Sequence, residues 1–216
     1  DLASCIDMPF LMDADTGYGN EVNARRTIHD LEDAGIYGAH FEDQVTPKRC
    51  GGMSGVQVIS MEEYLKKLEM ILKYRRDPNF MVIGRTDAAS VYGLDEAIRR
   101  GNLMADAGAA MVFYGHVLKN LDEIKRVCDE TKVPVMYCLM EFSRDVCFTL
   151  DELKAAGVRI CIWPNGLWMR WGKAAHDLMV QFKETGDPKT FFDDLYTPAE
   201  CNELLGIKEW NPSAAE

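Results

Sequence analysis

This sequence predicts an α/β fold built on a parallel sheet, and three observations lead there. Short apolar runs alternate with longer amphipathic segments along the 216 residues. Each run is too short for an independent helix and is bounded by Gly, Pro or charge, as buried strands are. Charged residues gather directly after several runs, which is where the strand C-termini of such a sheet collect ligands.

The runs are Pro9-Phe10-Leu11-Met12, Gly38-Ala39-His40-Phe41, Phe80-Met81-Val82-Ile83-Gly84, Ala110-Met111-Val112-Phe113-Tyr114, Val133-Pro134-Val135-Met136-Tyr137 and Val158-Arg159-Ile160-Cys161-Ile162-Trp163. Helical spacing covers residues 20–34, with Val22, Ile28 and Leu31 apolar, and residues 61–76, with Tyr64, Leu65, Leu68, Ile71 and Leu72. Residues 95–107 run from Asp95, read as an N-cap, to Gly108, and residues 120–131 follow. Residues 149–156 open on Thr149 with Glu152 three positions on, a capping box. A longer helix is predicted over 166–185 and a shorter one over 197–205. Strand then helix, repeated six times, implies parallel strands with crossover helices. A β/α barrel and an open doubly wound sheet both meet that description. Six strands fall about two βα units short of an eight-stranded barrel.

Composition narrows the function. The chain is 47% apolar and 27% charged, an ordinary globular balance. No apolar run reaches about 18 residues, so no membrane span is expected. Lys plus Arg number 24 against 35 Asp plus Glu, and a net charge of −11 argues against a nucleic-acid partner, which needs basic surface. The 7 cysteines include no CxxC pair and sit mostly among apolar neighbours, which points to reduced thiols and a cytoplasmic setting, or an organelle such as the mitochondrion in a eukaryote. The chain opens at Asp1 with neither Met nor a signal-peptide pattern, so a truncated view of a longer protein is expected.

The chemistry is concentrated after the first three strands. Asp13-Ala14-Asp15-Thr16-Gly17-Tyr18-Gly19 places two carboxylates two apart, and a period of two puts both on one face. Such a pair repels unless a cation joins it, and hard oxygen ligands suit Mg²⁺ or Mn²⁺. An Asp-rich turn capping the next helix is the plainer account. Glu42-Asp43-Gln44 is the second acidic strand end, and Glu42 could complete a metal shell directly or through water. Pro47-Lys48-Arg49-Cys50-Gly51-Gly52 sets two cations beside a thiol, which favours thiolate, on a loop that the glycines leave free to move. Its plainer account is a surface loop with an incidental Cys. Gly84-Arg85-Thr86-Asp87 offers a guanidinium that could clamp a substrate carboxylate, or pair with Asp87, or both. His40 reads as a satisfied core histidine, and Trp163, Trp168 and Trp171 read as packing or an oligomer contact.

Taken together, Asp-Ala-Asp-Thr-Gly-Tyr-Gly at 13–19, Glu-Asp-Gln at 42–44, Pro-Lys-Arg-Cys-Gly at 47–51 and Arg-Thr-Asp-Ala at 85–88 resemble the isocitrate lyase / phosphoenolpyruvate mutase superfamily. The resemblance covers residues 8–206, and Lys-Arg-Cys-Gly resembles its 2-methylisocitrate lyase-like branch. It implies a TIM-type (β/α)8 barrel, a single domain over 1–216 with the first two βα units missing from this chain. Should the natural chain begin at Asp1, an incomplete barrel without catalysis is expected. The resemblance further implies a homotetramer with a swapped C-terminal helix, with residues 166–206 given to oligomer contacts. It implies Mg²⁺ held near Asp13 and Asp15 with Glu42 in its shell, Arg85 on a substrate carboxylate, Lys48 in the catalytic group, and Cys50 as the acid that protonates the enolate product. Asp15, Tyr18, Gly19, Gly51, Gly52, Arg85, Cys138 and Met140 are the implied substrate contacts. The implied reaction is a retro-aldol cleavage of a small 2-hydroxy di- or tricarboxylate to a 2-oxo acid plus a carboxylate.

Three positions depart from the lyase pattern. Gly52 stands where the lyases usually carry His, Tyr114-Gly115 where they carry Pro-Glu, and Cys138-Leu139-Met140 where they carry Asn-x-Thr. A less polar substrate than a tricarboxylate fits better, and His116 is the candidate replacement for the lost Glu. Two alternatives follow. One keeps the fold and acts as a phosphonopyruvate or phosphoenolpyruvate mutase or hydrolase, or on oxaloacetate. The other is a non-catalytic binding or assembly subunit.

Overall fold

The computed structural model describes residues 2–5, 7–115, 118–139 and 146–211. Met140 and His116 therefore lie outside the described residues. The chain divides into two compact units, residues 1–164 and 165–216.

The first unit is a six-stranded parallel sheet in the order β1-β2-β3-β4-β5-β6. Its strands are β1 (Leu11–Asp13), β2 (Gly38–Glu42), β3 (Met81–Thr86), β4 (Met111–Tyr114), β5 (Val135–Cys138) and β6 (Ile160–Ile162). The order decides between the two architectures. A doubly wound sheet reverses direction at a switch point, whereas here every strand lies beside its predecessor, as around a barrel. Right-handed crossovers then place the connecting helices on one side of the sheet. The fold is a six-stranded half-barrel of the TIM type.

Five helices fall close to the predicted segments, α2 (Glu21–Asp33), α3 (Met61–Tyr74), α5 (Leu94–Ala107), α6 (Leu121–Glu130) and α7 (Leu150–Ala155), while the short α1 (Leu2–Cys5) and α4 (Ala89–Tyr92) were not anticipated. Thr149 accepts from the Glu152 N–H and Glu152 reaches back, completing the expected capping box. Asp95 is not the cap of α5. Gly93, with φ +89°, begins that helix without a side-chain cap, and Asp95 sits in the first turn paired with Arg126 at 2.6 Å.

Strand alternation sorts the core into two layers. Ala39, Phe41, Val82, Val112, Tyr114, Val135 and Tyr137 pack with the helices in the larger cluster. Ile83, Met111, Phe113, Met136 and Cys138 form a second cluster on the opposite, barrel-interior face. Burial of each large apolar side chain contributes roughly 1.5–3 kcal/mol. Tyr64 of α3 is fully buried and donates its hydroxyl to the Phe41 carbonyl at 2.8 Å, so its polar end is satisfied. Gly84 lets α5 approach β3, since a Cβ there would stand 2.7 Å from Met104 Sδ.

The second unit contains α8 (Gly166–Thr185), a 3-10 segment (Pro188–Asp194), α9 (Pro198–Leu204) and α10 (Ile207–Trp210). Phe182 meets Phe191 edge-on at 6.2 Å, and Gln181 donates to the Thr190 carbonyl. Trp168 and Trp171 of this unit are exposed, as is Trp163 at the end of the first.

Candidate active site

Asp13, His40, Glu42 and Arg85 stand at the C-terminal ends of β1, β2 and β3, with Asp13 in register with His40 and Glu42 with Arg85. Period-two alternation puts all four on the inner face. Glu42, Asp43, Gln44, Arg85 and Asp87 are all buried. Charge at that depth persists only when paired. Arg85 Nη1 lies 3.0 Å from Glu42 Oε2 and 3.7 Å from Asp13 Oδ2, and Arg85 Nε lies 3.3 Å from Asp87 Oδ2. The guanidinium also sits 4.9 Å from the Phe113 ring centroid. Lys48 Nζ reaches Asp15 Oδ1 at 2.7 Å and Glu42 Oε1 at 3.6 Å.

These contacts are close but poorly aligned for Glu42. Neither of its buried oxygens has a hydrogen-bond partner, and Arg85 Nε lacks one as well. Burial, opposed mainly by Arg85, pushes the Glu42 carboxyl up to about 7. Burial also raises Asp13, but His40, the Asp15 backbone N–H, Arg85 and Lys48 outweigh it and hold Asp13 below the usual carboxylate range. Lys48 is pulled down by burial, yet its hydrogen bond to Asp15 and the nearby carboxylates hold it above its ordinary value.

Two expectations are corrected here. The two-apart spacing of Asp13 and Asp15 does not place them on one strand face, because β1 stops at Asp13 and Asp15 takes a left-handed φ of +48°. A turn presents Asp15 instead: its N–H donates to Asp13 Oδ1 at 2.9 Å, and its carbonyl accepts from the Glu42 N–H at 2.8 Å. His40 is buried as expected but is not a satisfied core histidine. Its Nδ1 has no hydrogen-bond partner and stands 3.6 Å from Asp13 Oδ1, with the ring edge-on to Phe113. Burial, opposed by Asp13, drives His40 down to about 4.

Beneath this layer lies a network that sequence reasoning missed. Asp43 accepts from Thr86 Oγ1 at 2.7 Å, from the Asp87 N–H at 2.9 Å and from Arg100 Nη1 at 2.9 Å. Arg100 comes from α5 and is also held by Glu96. Partners 57 residues apart leave no local pattern to read.

The loops after β1 and β2 carry further expected groups. Tyr18 and Cys50 are exposed, Gly19 and Gly51 line the same two loops, and Gly52 is exposed. Thr16 and Thr46 hydroxyls meet at 2.8 Å and join the two loops. Neither cation is directed at the thiol: Lys48 is spent on Asp15 and Glu42, and Arg49 Nη1 points to the Ser54 carbonyl at 3.5 Å. On the far side of the rim, Gly115 and Cys138 are buried at the ends of β4 and β5.

Among the described residues, no three His, Cys, Asp or Glu side chains converge closely enough to hold a metal ion as they lie. Asp13, Asp15 and Glu42 do share the site, but Lys48 and Arg85 stand between them. The donor set nevertheless fits a hard divalent cation. Four carboxylates, Asp13, Asp15, Glu42 and Asp87, face two cations, and both Glu42 oxygens are buried without a hydrogen bond.

With this geometry in place, comparison with known proteins is informative. A family model described as phosphoenolpyruvate phosphomutase matches residues 1–183. The chain belongs to the phosphoenolpyruvate mutase/isocitrate lyase superfamily. A 2-methylisocitrate lyase of Aeropyrum pernix is 34% identical over 211 residues, which are 98% of this chain and 68% of that protein. A 2,3-dimethylmalate lyase of Eubacterium barkeri is 35% identical over 202 residues, 94% of this chain and 70% of that protein. Among solved structures of the superfamily, a phosphonopyruvate hydrolase in complex with oxalate and Mg²⁺ superposes with a TM-score of 0.82 at 26% identity, covering 100% of this chain and 75% of that one.

Proposed function

We propose that the protein is a Mg²⁺-dependent carbon–carbon lyase that cleaves a small 2-hydroxy dicarboxylate to a 2-oxo acid and a saturated carboxylate. The observation that carries this reading is the buried Glu42, with two unbonded oxygens, set beside Arg85 on a rim whose neighbouring loop carries Cys50. Superfamily relatives named as 2-methylisocitrate and 2,3-dimethylmalate lyases support it.

In this mechanism Asp13, Asp15 and Glu42 would hold the metal. When bound, Mg²⁺ supplies Lewis-acid stabilisation of the negative charge that develops as the carbon–carbon bond breaks. Arg85 receives one substrate carboxylate, and its buried carboxylate partners keep the guanidinium oriented. Lys48 neutralises Asp15 and Glu42 and keeps the loop near the rim. Tyr18, Gly19, Gly51 and Gly52 wall the substrate from the loop side, and Cys138 from the opposite side. Cys50 Sγ gives its proton to the carbon freed by cleavage, and the proton lost by the substrate hydroxyl as it becomes the 2-oxo group passes to solvent, from which the thiol is restored. Apolar groups at 115 and 138 match a substrate with alkyl substituents better than a third carboxylate. The exposed apolar side chains of α8, Leu167 and Trp171 foremost, supply the contact for a homotetramer exchanging its C-terminal helices.

The test is a panel of 2-hydroxy and 2-oxo dicarboxylates, incubated with full-length protein and Mg²⁺ and scored for 2-oxo acid. Formation of pyruvate or glyoxylate from a dialkyl-substituted malate or a close analogue is expected. A second reading, phosphonopyruvate hydrolysis or mutation, is favoured by the phosphomutase family match. Pyruvate release from phosphonopyruvate, followed by phosphorus NMR without cleavage of any hydroxy acid, would select it.

A further inference from the structure

The loop from Pro47 to Gly55 carries Lys48 and Cys50, yet little of it is packed. Arg49, Cys50, Gly52, Met53, Ser54 and Gly55 are exposed. A cavity of about 220 Å³ opens behind it, between Gln44, Pro47, Arg49 and Gln57. Lys48 reaches Asp15 and Glu42, and one buried side chain grips the loop's backbone. Gln44 is 1% exposed. Its Oε1 accepts the Arg49 N–H at 2.9 Å, and its Nε2 donates to the Arg49 carbonyl at 2.9 Å and to Asp87 Oδ2 at 2.9 Å. The amide thus grips both polar groups of a single loop residue, and its third bond fixes which end is nitrogen. Asp87 Oδ2, which receives that bond, also faces Arg85 Nε. Asp87 can occupy this place only because residue 115 is glycine: a Cβ at Gly115 would overlap the Asp87 carboxylate.

We propose that Gln44 is a positioning residue. With Asp87, and in the space left by Gly115, it holds the Lys48–Cys50 loop in register with Arg85. The link to turnover rests on the lyase reading above, whereas the grip on the loop does not. The path runs from the guanidinium through Asp87 and Gln44 to the Arg49 backbone, so the carboxylate-binding group and the proton donor are set by one buried amide. This gives the missing Glu at position 115 a consequence: the room it would fill is taken by Asp87.

Three measurements test this. In the unaltered protein, hydrogen exchange at the Arg49 amide is expected to be slowed about 100-fold relative to the exposed Gly52 amide. Gln44→Glu keeps the shape and the Arg49 N–H bond but sets an acceptor against the Arg49 carbonyl and Asp87. It is expected to speed alkylation of Cys50, identified by peptide mass, about tenfold and to lower kcat by about tenfold with KM changed far less. Gly115→Ala, which displaces Asp87, is expected to do the same, and the double variant to be no worse than the more severe single one. If Gly115→Ala does not fold, the other two measurements decide. The proposal is overturned if the Arg49 amide exchanges as fast as Gly52, or if folded Gln44→Glu leaves Cys50 alkylation within about twofold of the parent. A protein that cleaves no hydroxy acid yet shows both loop effects would reject the lyase reading and retain the positioning role.

Discussion

The two halves of the strand-end rim differ in kind. The ends of β1 to β3 carry Asp13, Glu42, Arg85 and Asp87, buried or half-buried charges locked to one another. The ends of β4 to β6 carry Gly115, Cys138 and Ile162, with no charged group among the described residues there. Buried charge is costly, so a cluster of this density is kept for chemistry rather than for stability. Of the departures from the pattern of the lyases this chain resembles, Gly115 and Cys138 fall on the apolar half and Gly52 on the loop of the charged half. On the proposed function, the charged half would carry the reaction and the apolar half would adjust which substrate substituents fit.

The largest effect should come from removing the cation on the charged half. Arg85→Met leaves Glu42, Asp13 and Asp87 without their common partner and is expected to cost about 3–5 kcal/mol in urea unfolding. A loss below about 1 kcal/mol would mean the carboxylates do not depend on it.

The next effect is a pH dependence. The folded Glu42 carboxyl titrates near 7, above its ordinary 4.5. Between these values the folded state holds a proton that the unfolded state has lost, so metal-free stability falls as pH rises through that window. His40 acts in the opposite sense. Its folded value near 4 lies below 6.5, so its contribution rises with pH between the two. Each swing can reach about 3 kcal/mol. Glu42→Gln should therefore leave only the rising limb, as read by denaturant midpoints from pH 4 to 8. Mg²⁺ must also displace the Glu42 proton, so its affinity is expected to fall by up to about tenfold per pH unit below 7. A flat affinity from pH 6 to 8 would exclude Glu42 as a ligand.

The apolar half should answer more quietly. Cys138→Asn restores a polar group and is expected to change KM by about tenfold between more and less polar substrates while kcat moves little. Equal losses in kcat on every substrate would erase the division between the halves.

The sheet was legible because strands buried on both faces read as continuous apolar runs, and the crossover helices between them keep a helical period. What the runs leave open, barrel or doubly wound sheet, is a matter of strand order, which no local pattern encodes. At the site, Asp13, Glu42, Lys48 and Arg85 could be picked out because charge directly after a buried strand is conspicuous. Their pairing could not. Asp15 lies in a left-handed turn that defeats the period-two rule, and Gly93 opens α5 in place of Asp95. Gln44, Asp43 and Arg100 were missed because a buried amide and a buried ion pair look, in sequence, like any polar residue. The one faint signal was glycine at 115, which reads as a lost Glu and proves to be room for Asp87.

Cys50→Ser offers the most direct measurement, with 2-oxo acid formation and Mg²⁺ binding followed in the same samples. Cys50 is exposed and bears no structural load, so fold and metal affinity should match the parent, while cleavage falls by about 10²–10⁴. Normal turnover in the variant would contradict Cys50 as the acid, and loss of Mg²⁺ binding with it would contradict the separation of metal site and loop.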